Sequence, residues 1–157
     1  MIEIQCDKDF ESLINEKRIR NILKNFLHIL FETQREISIL ITNNEEIKKL
    51  NKQFRKKDSP TDILSWKYES IEGEKIGLEM YESERDSIFG EIAVSAELVS
   101  KQAFENGWDF ETELIRLLAH GCAHLAGYDH EESETQEREM LQLEIQLLED
   151  VGLNKIY

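Results

Sequence analysis

LLAHGCAHLAGYDH, residues 117–130, holds three of the chain's four histidines, at His120, His124 and His130. Leu114, Leu117, Leu118 and Leu125 recur around the first two at helical spacing, which predicts a helix over 110–126 with a leucine stripe turned to a core. Residues four apart on a helix differ by about 40° and lie one above the other, so His120 and His124 can aim two imidazoles at one point. Gly127 suits the left-handed conformation that ends helices, which lets the chain turn back through Tyr128 and Asp129 and deliver His130 as a third ligand. A lone i, i+4 histidine pair is commonly a surface accident; the third histidine just past a helix-ending glycine makes a metal site the better reading. Three imidazoles leave a position open on zinc, the pattern of catalytic rather than structural sites.

The other residues of this helix sharpen the reading. Cys122 falls about 200° round from His120, beside the leucine stripe, and reads as a buried thiol rather than a ligand. Glu113 shares the histidine face but lies two turns back, too far for direct chemistry. Asp129 is a candidate to fix a histidine tautomer from behind. Metallopeptidases of the HExxHxxGxxH type share the three histidines and the glycine, but their general base follows the first histidine. Here that position is Gly121. A glycine inside a helix costs about 1 kcal/mol relative to alanine, so it implies close approach of this helix to its neighbour. His28 lies opposite the apolar face of its own helix and reads as surface.

Working outward, residues 1–6, 36–42, 61–66 and 87–95 read as strands. Helices are expected over 18–31, 44–54, 96–106, 110–126 and 133–151, the last opened by an S-x-x-Q capping box at Ser133 and Gln136. Strands mixed with amphipathic helices give an α+β fold whose sheet is covered mainly on one side. Residues 69–86 are acidic and weakly patterned and read as a mobile loop. The 157 residues suit one domain, 1–157. No apolar run of membrane-spanning length occurs, and the first residues lack the layout of a signal peptide, so a cytoplasmic protein is expected. Cys6 and Cys122 form no CxxC motif and read as reduced thiols.

The net charge of −14 argues against a generic polyanion binder. It is unevenly spread: residues 1–68 carry 13 basic and 11 acidic side chains, residues 69–157 carry 6 and 22. KKLNKQFRKK, residues 48–57, is the densest basic stretch, with Arg55, Lys56 and Lys57 at its end. Such a run is more often a solvated helix face than a phosphate-binding strip.

HGCAHLAGYDH resembles the HGxLHLxGYDH signature of the YbeY-type endoribonucleases, bacterial rRNA maturation factors. LNKQFRKKDSPTDILSW is similar to that family's arginine followed by a TDVLSF-like strand, and FGEIAVS to its LGDIVIS strand. Ala123, Glu91 and Trp66 depart from the usual leucine, aspartate and phenylalanine. The resemblance implies an α+β fold with a small mixed sheet of about four strands and about five helices, and a metal site at the end of the histidine-bearing helix. It implies one divalent metal per chain, usually zinc, on His120, His124 and His130, with Arg55 as the other functional residue. The implied activity is single-strand-directed RNA cleavage in small-subunit rRNA 3′-end maturation and ribosome quality control, with rRNA, the small subunit and assembly proteins as partners and no membrane. Lys56 and Lys57 are assigned to substrate attraction. Two competing readings stand beside this one: a metallohydrolase acting on another substrate, such as a peptide, and a ribosome-assembly factor whose metal is structural and whose nuclease activity is weak.

Overall fold

A computed structural model describes residues 2–68, 88–128 and 133–153. Strands β1 (Ile2–Cys6), β2 (Glu36–Thr42), β3 (Ile63–Lys67) and β4 (Ile88–Ser95) form one sheet in the order β1-β2-β4-β3. β1, β2 and β4 are parallel, whereas β3 runs antiparallel to β4 at the edge. The mixed four-stranded sheet is therefore present. Among the described residues five α-helices accompany it: α1 (Glu16–Leu30), α2 (Asn44–Arg55), α3 (Ala96–Asn106), α4 (Phe110–Leu125) and α5 (Glu134–Asp150).

Each helix starts where a short polar side chain takes up a free backbone N–H. Asn15, Asn43, Ser95, Asp109 and Ser133 accept from Arg18, Glu46, Leu98, Thr112 and Gln136 respectively. The Asn15 cap explains why α1 begins two residues before the expected 18. At Ser133 only half of the capping box forms, because Gln136 Oε1 is buried without a partner among the described residues. A 3-10 helix, Lys8–Leu13, was not expected; it buries none of its residues and so leaves no apolar period in the sequence.

The sheet's two faces are unequal. Ile37, Ile39, Ile41, Ile92 and Val94 pack with α1, α4 and α5 in the main core, where Ile19, Leu23, Phe26, Leu114, Leu118 and Leu147 are fully buried. Each such side chain contributes about 1.5–3 kcal/mol through burial. The opposite face carries a smaller cluster, in which Leu64, Ala93 and Leu40 meet Ile47 and Leu50 of α2. Alternation therefore sends Ile63 and Ser65 of β3 toward α4, and Leu64 and Trp66 toward α2.

Candidate metal centre

The histidine helix is fixed at its start. Asp109 caps α4, and its bonds with Thr112 hold its carboxyl below the usual carboxylate range. One turn on, the fully buried carboxylate of Glu113 accepts from Trp108 Nε1 at 2.9 Å and from Arg116 Nε at 2.7 Å. Glu113 is thus committed to anchoring the turn before the helix, which agrees with its exclusion from the chemistry.

Farther along, α4 lies directly on the sheet. A Cβ at Gly121 would stand 3.0 Å from Cδ1 of both Ile63 and Ile92, and one at Gly90 of β4 would meet Leu125 and the Trp66 carbonyl at 2.9 Å. Two glycines, one on each surface, create the close approach that Gly121 implied. Cys122 is fully buried, and burial pushes its thiol up to about 12. It lies in the main core, on the sheet side of the helix, and so is not placed beside the two imidazoles. His28 is exposed, as expected.

On the outer face, both histidines are held through Nδ1. His120 Nδ1 lies 2.9 Å from Oε1 of Glu144, a residue of α5 that is 5% exposed. His124 Nδ1 lies 3.0 Å from the Ser65 hydroxyl on β3. With Nδ1 engaged by the protein, Nε2 is the nitrogen each ring would offer a metal. Ligand histidines are characteristically oriented this way, through a carboxylate or another polar group behind the ring. The donor set present here fits a divalent ion of zinc type. Among the described residues no three potential ligands converge. His130 and Asp129 fall in 129–132, outside the described residues, as does the acidic stretch 69–86.

Glu144 and Ser65 were missed from the sequence. Glu144 did leave a signal: it interrupts the buried stripe of Met140, Leu147 and Leu148 on α5. A carboxylate in such a stripe needs a buried partner. Ser65 left none, because a serine on an edge strand is unremarkable.

Arg55 is the last residue of α2 and lies, with Lys56 and Lys57, at the surface. Among the described residues it makes no hydrogen bond or ion pair with a histidine. β3 lies between the two features: Ser65 meets His124 on one face, while on the other Trp66 stacks against Phe54, the neighbour of Arg55. Lys56 caps α2 in the left-handed conformation, with φ 58°.

The chain matches the family model described as Endoribonuclease YbeY over residues 3–152. A Persephonella marina protein named Endoribonuclease YbeY is 36% identical over 138 residues, covering 88% of this chain and 84% of its own length. One of the same name from Sulfurovum is 41% identical over 121 residues, covering 77% and 76%. A Thermotoga maritima protein solved in solution superposes with a TM-score of 0.63 at 30% identity, covering 96% of this chain and 89% of its own.

Proposed function

Because the chain belongs to the YbeY endoribonuclease family, we propose that it is a metal-dependent endoribonuclease that cleaves single-stranded rRNA. Its proposed task is maturation of the small-subunit rRNA 3′ end and ribosome quality control in the cytoplasm, with the small subunit and assembly proteins as partners. The observation that supports a metal role best is the pair of Nδ1 contacts, Glu144 to His120 and Ser65 to His124. His120, His124 and His130 would hold one divalent ion, most simply Zn2+. Such an ion supplies Lewis acidity toward a phosphoryl oxygen.

The remaining chemistry falls to the chain. Glu144 and Ser65 keep the two imidazoles aimed. Arg55, with its planar fork, is suited to the charge that builds on the phosphate oxygens during cleavage. Lys56 and Lys57 raise the local concentration of RNA against the repulsion of a −14 protein. A peptidase reading fares worse, since Gly121 faces Ile63 and Ile92 at distances that leave no room for a glutamate base.

The test compares cleavage of a single-stranded oligoribonucleotide by metal-loaded and chelated protein, with casein as the peptide control. Cleavage of RNA alone, lost on chelation, is expected. Arg55→Ala should lower the single-turnover rate about 100- to 1,000-fold with metal retained, a usual cost for losing a charge-stabilising donor. Changing Lys56 and Lys57 together to alanine should weaken binding and flatten its salt dependence while leaving the saturated rate nearly normal. RNA left intact by metal-loaded protein would favour an assembly factor with a structural metal.

A further inference from the structure

Phe54 is a large apolar side chain placed where the hydrophobic effect gives no reason to leave it: it is 54% exposed at the last turn of α2. Beneath it lies Trp66 of β3, nearly parallel at 17° with ring centroids 5.2 Å apart. Trp66 is itself anchored, its indole N–H donating to the Tyr68 hydroxyl at 3.3 Å. One ring of the pair therefore supports the other, and the outer one faces solvent.

The exposed charges next to Phe54 in sequence are cationic, while one acid, Glu91, stands opposite Trp66 on the neighbouring strand. Arg55, Lys56 and Lys57 follow Phe54 directly and are all exposed. The nearest acid in sequence, Asp58, is 3.9 Å from Lys48 and so is already offset. The turn that carries these cations is braced. Buried Asn51 donates through Nδ2 to the Ser59 carbonyl at 2.8 Å, and its own carbonyl accepts from the Lys57 N–H at 3.3 Å. A supported aromatic face beside cations on a braced backbone turn matches the two demands of single-stranded nucleic acid, a π-surface for a base and positive charge for its backbone.

From this placement we infer that Phe54, backed by Trp66, is a stacking platform for one unpaired base of the RNA, with Lys56 and Lys57 on the adjoining phosphates. The inference rests on the endoribonuclease reading and adds to it the origin of single-strand preference. A base held in a duplex is already stacked on its neighbours and cannot cover Phe54, whereas an unpaired base can. Ser65 and Trp66 are consecutive on β3 and point to opposite faces. The platform is therefore displaced from the histidines across the edge strand, and the stacked base is not the one at the cleaved bond. Phe54 is a specificity residue, outside the catalytic machinery.

The experiment measures binding of a naked single-stranded oligoribonucleotide by anisotropy, replacing one nucleotide at a time with an abasic one. For the wild-type protein, one position away from the scissile phosphate should lose roughly 5- to 150-fold in affinity, the range for stacking one base on an aromatic ring. Phe54→Leu keeps an apolar cover over Trp66 and should lose a similar factor, become insensitive to the abasic position, and raise KM with kcat unchanged. Phe54→Tyr should behave as wild type. An abasic scan without a preferred position overturns the platform, and needs no variant to fold. Equal affinities for Phe54→Leu and the wild type overturn it as well. Those failures leave the nuclease reading intact as long as the metal-loaded protein cleaves RNA; loss of cleavage in the wild type removes both.

Discussion

His120 and His124 stand one turn apart on the same helix face, yet the protein holds them by different chemistry. Behind His120 is a nearly buried carboxylate from α5; behind His124 is a hydroxyl from the sheet's edge strand. Where Glu144 is ionised it can only accept a hydrogen bond, so the 2.9 Å contact calls for the His120 proton on Nδ1 and turns the Nε2 lone pair outward. A hydroxyl can give or accept, so Ser65 leaves the tautomer of His124 to be decided by what stands at Nε2. Of the two described histidines, one is preset and the other adapts. The carboxylate also makes its imidazole the stronger donor.

The largest expected effect removes the comparison altogether. His120→Ala and His124→Ala should each abolish stoichiometric metal binding, read by elemental analysis; full metal in both variants would remove the site. Next comes Glu144→Ala, which should weaken metal affinity about 10- to 100-fold, the usual cost of losing a partner behind a ligand histidine. A competition titration against a chelating dye measures it without reference to activity, and Glu144→Gln, which keeps an acceptor, should lie between. Ser65→Ala should cost less than Glu144→Ala in the same titration, because solvent can replace a half-exposed hydroxyl. If the two losses are equal, the distinction between preset and adaptive histidines fails.

The smallest effect lies on the other side of the helix. Cys122→Ala should leave metal content unchanged and lower stability by about 1 kcal/mol, measured by urea unfolding. Its pKa has a sign consequence. Burial raises it from 9.0 to about 12, so in alkali the unfolded chain gives up this proton before the folded one. The contribution of Cys122 to stability is therefore complete below pH 9 and is lost as pH climbs toward 12. In Cys122→Ala that part of the alkaline decline should disappear.

Most of the fold was legible because its signals are local. Ile19, Ile22, Leu23 and Phe26 recur with the helical period, and the five caps are short polar residues just ahead of such runs. The mixed character of the sheet was not contained in those patterns and came from the family resemblance, while the strand order was visible only in the folded structure. At the site, spacing along one helix was enough to pair His120 with His124 and to turn Cys122 inward. Their partners were not, since Glu144 is 24 residues from His120 and Ser65 is 59 from His124. Contacts of that separation are made by the fold, and a single sequence carries them only as an oddity such as an acid in a leucine stripe. Phe54 shows the reverse error. It was passed over as one letter in a basic run, although its stacking on Trp66 is what gives that run a shape.

The pairing of β3 with β4 has a further consequence for what the chain can tolerate. Lys67 pairs with Gly90, so two antiparallel neighbours are joined by 22 intervening residues, far more than a hairpin requires. In general the entropy of bringing two chain ends together grows only with the logarithm of the length between them, about 0.6 kcal/mol for each doubling. Insertions or deletions between these strands should therefore leave the Ser65 register nearly untouched. That connection is where a tag, a sensor domain or a neighbouring lineage's extra residues could be accepted at little thermodynamic expense.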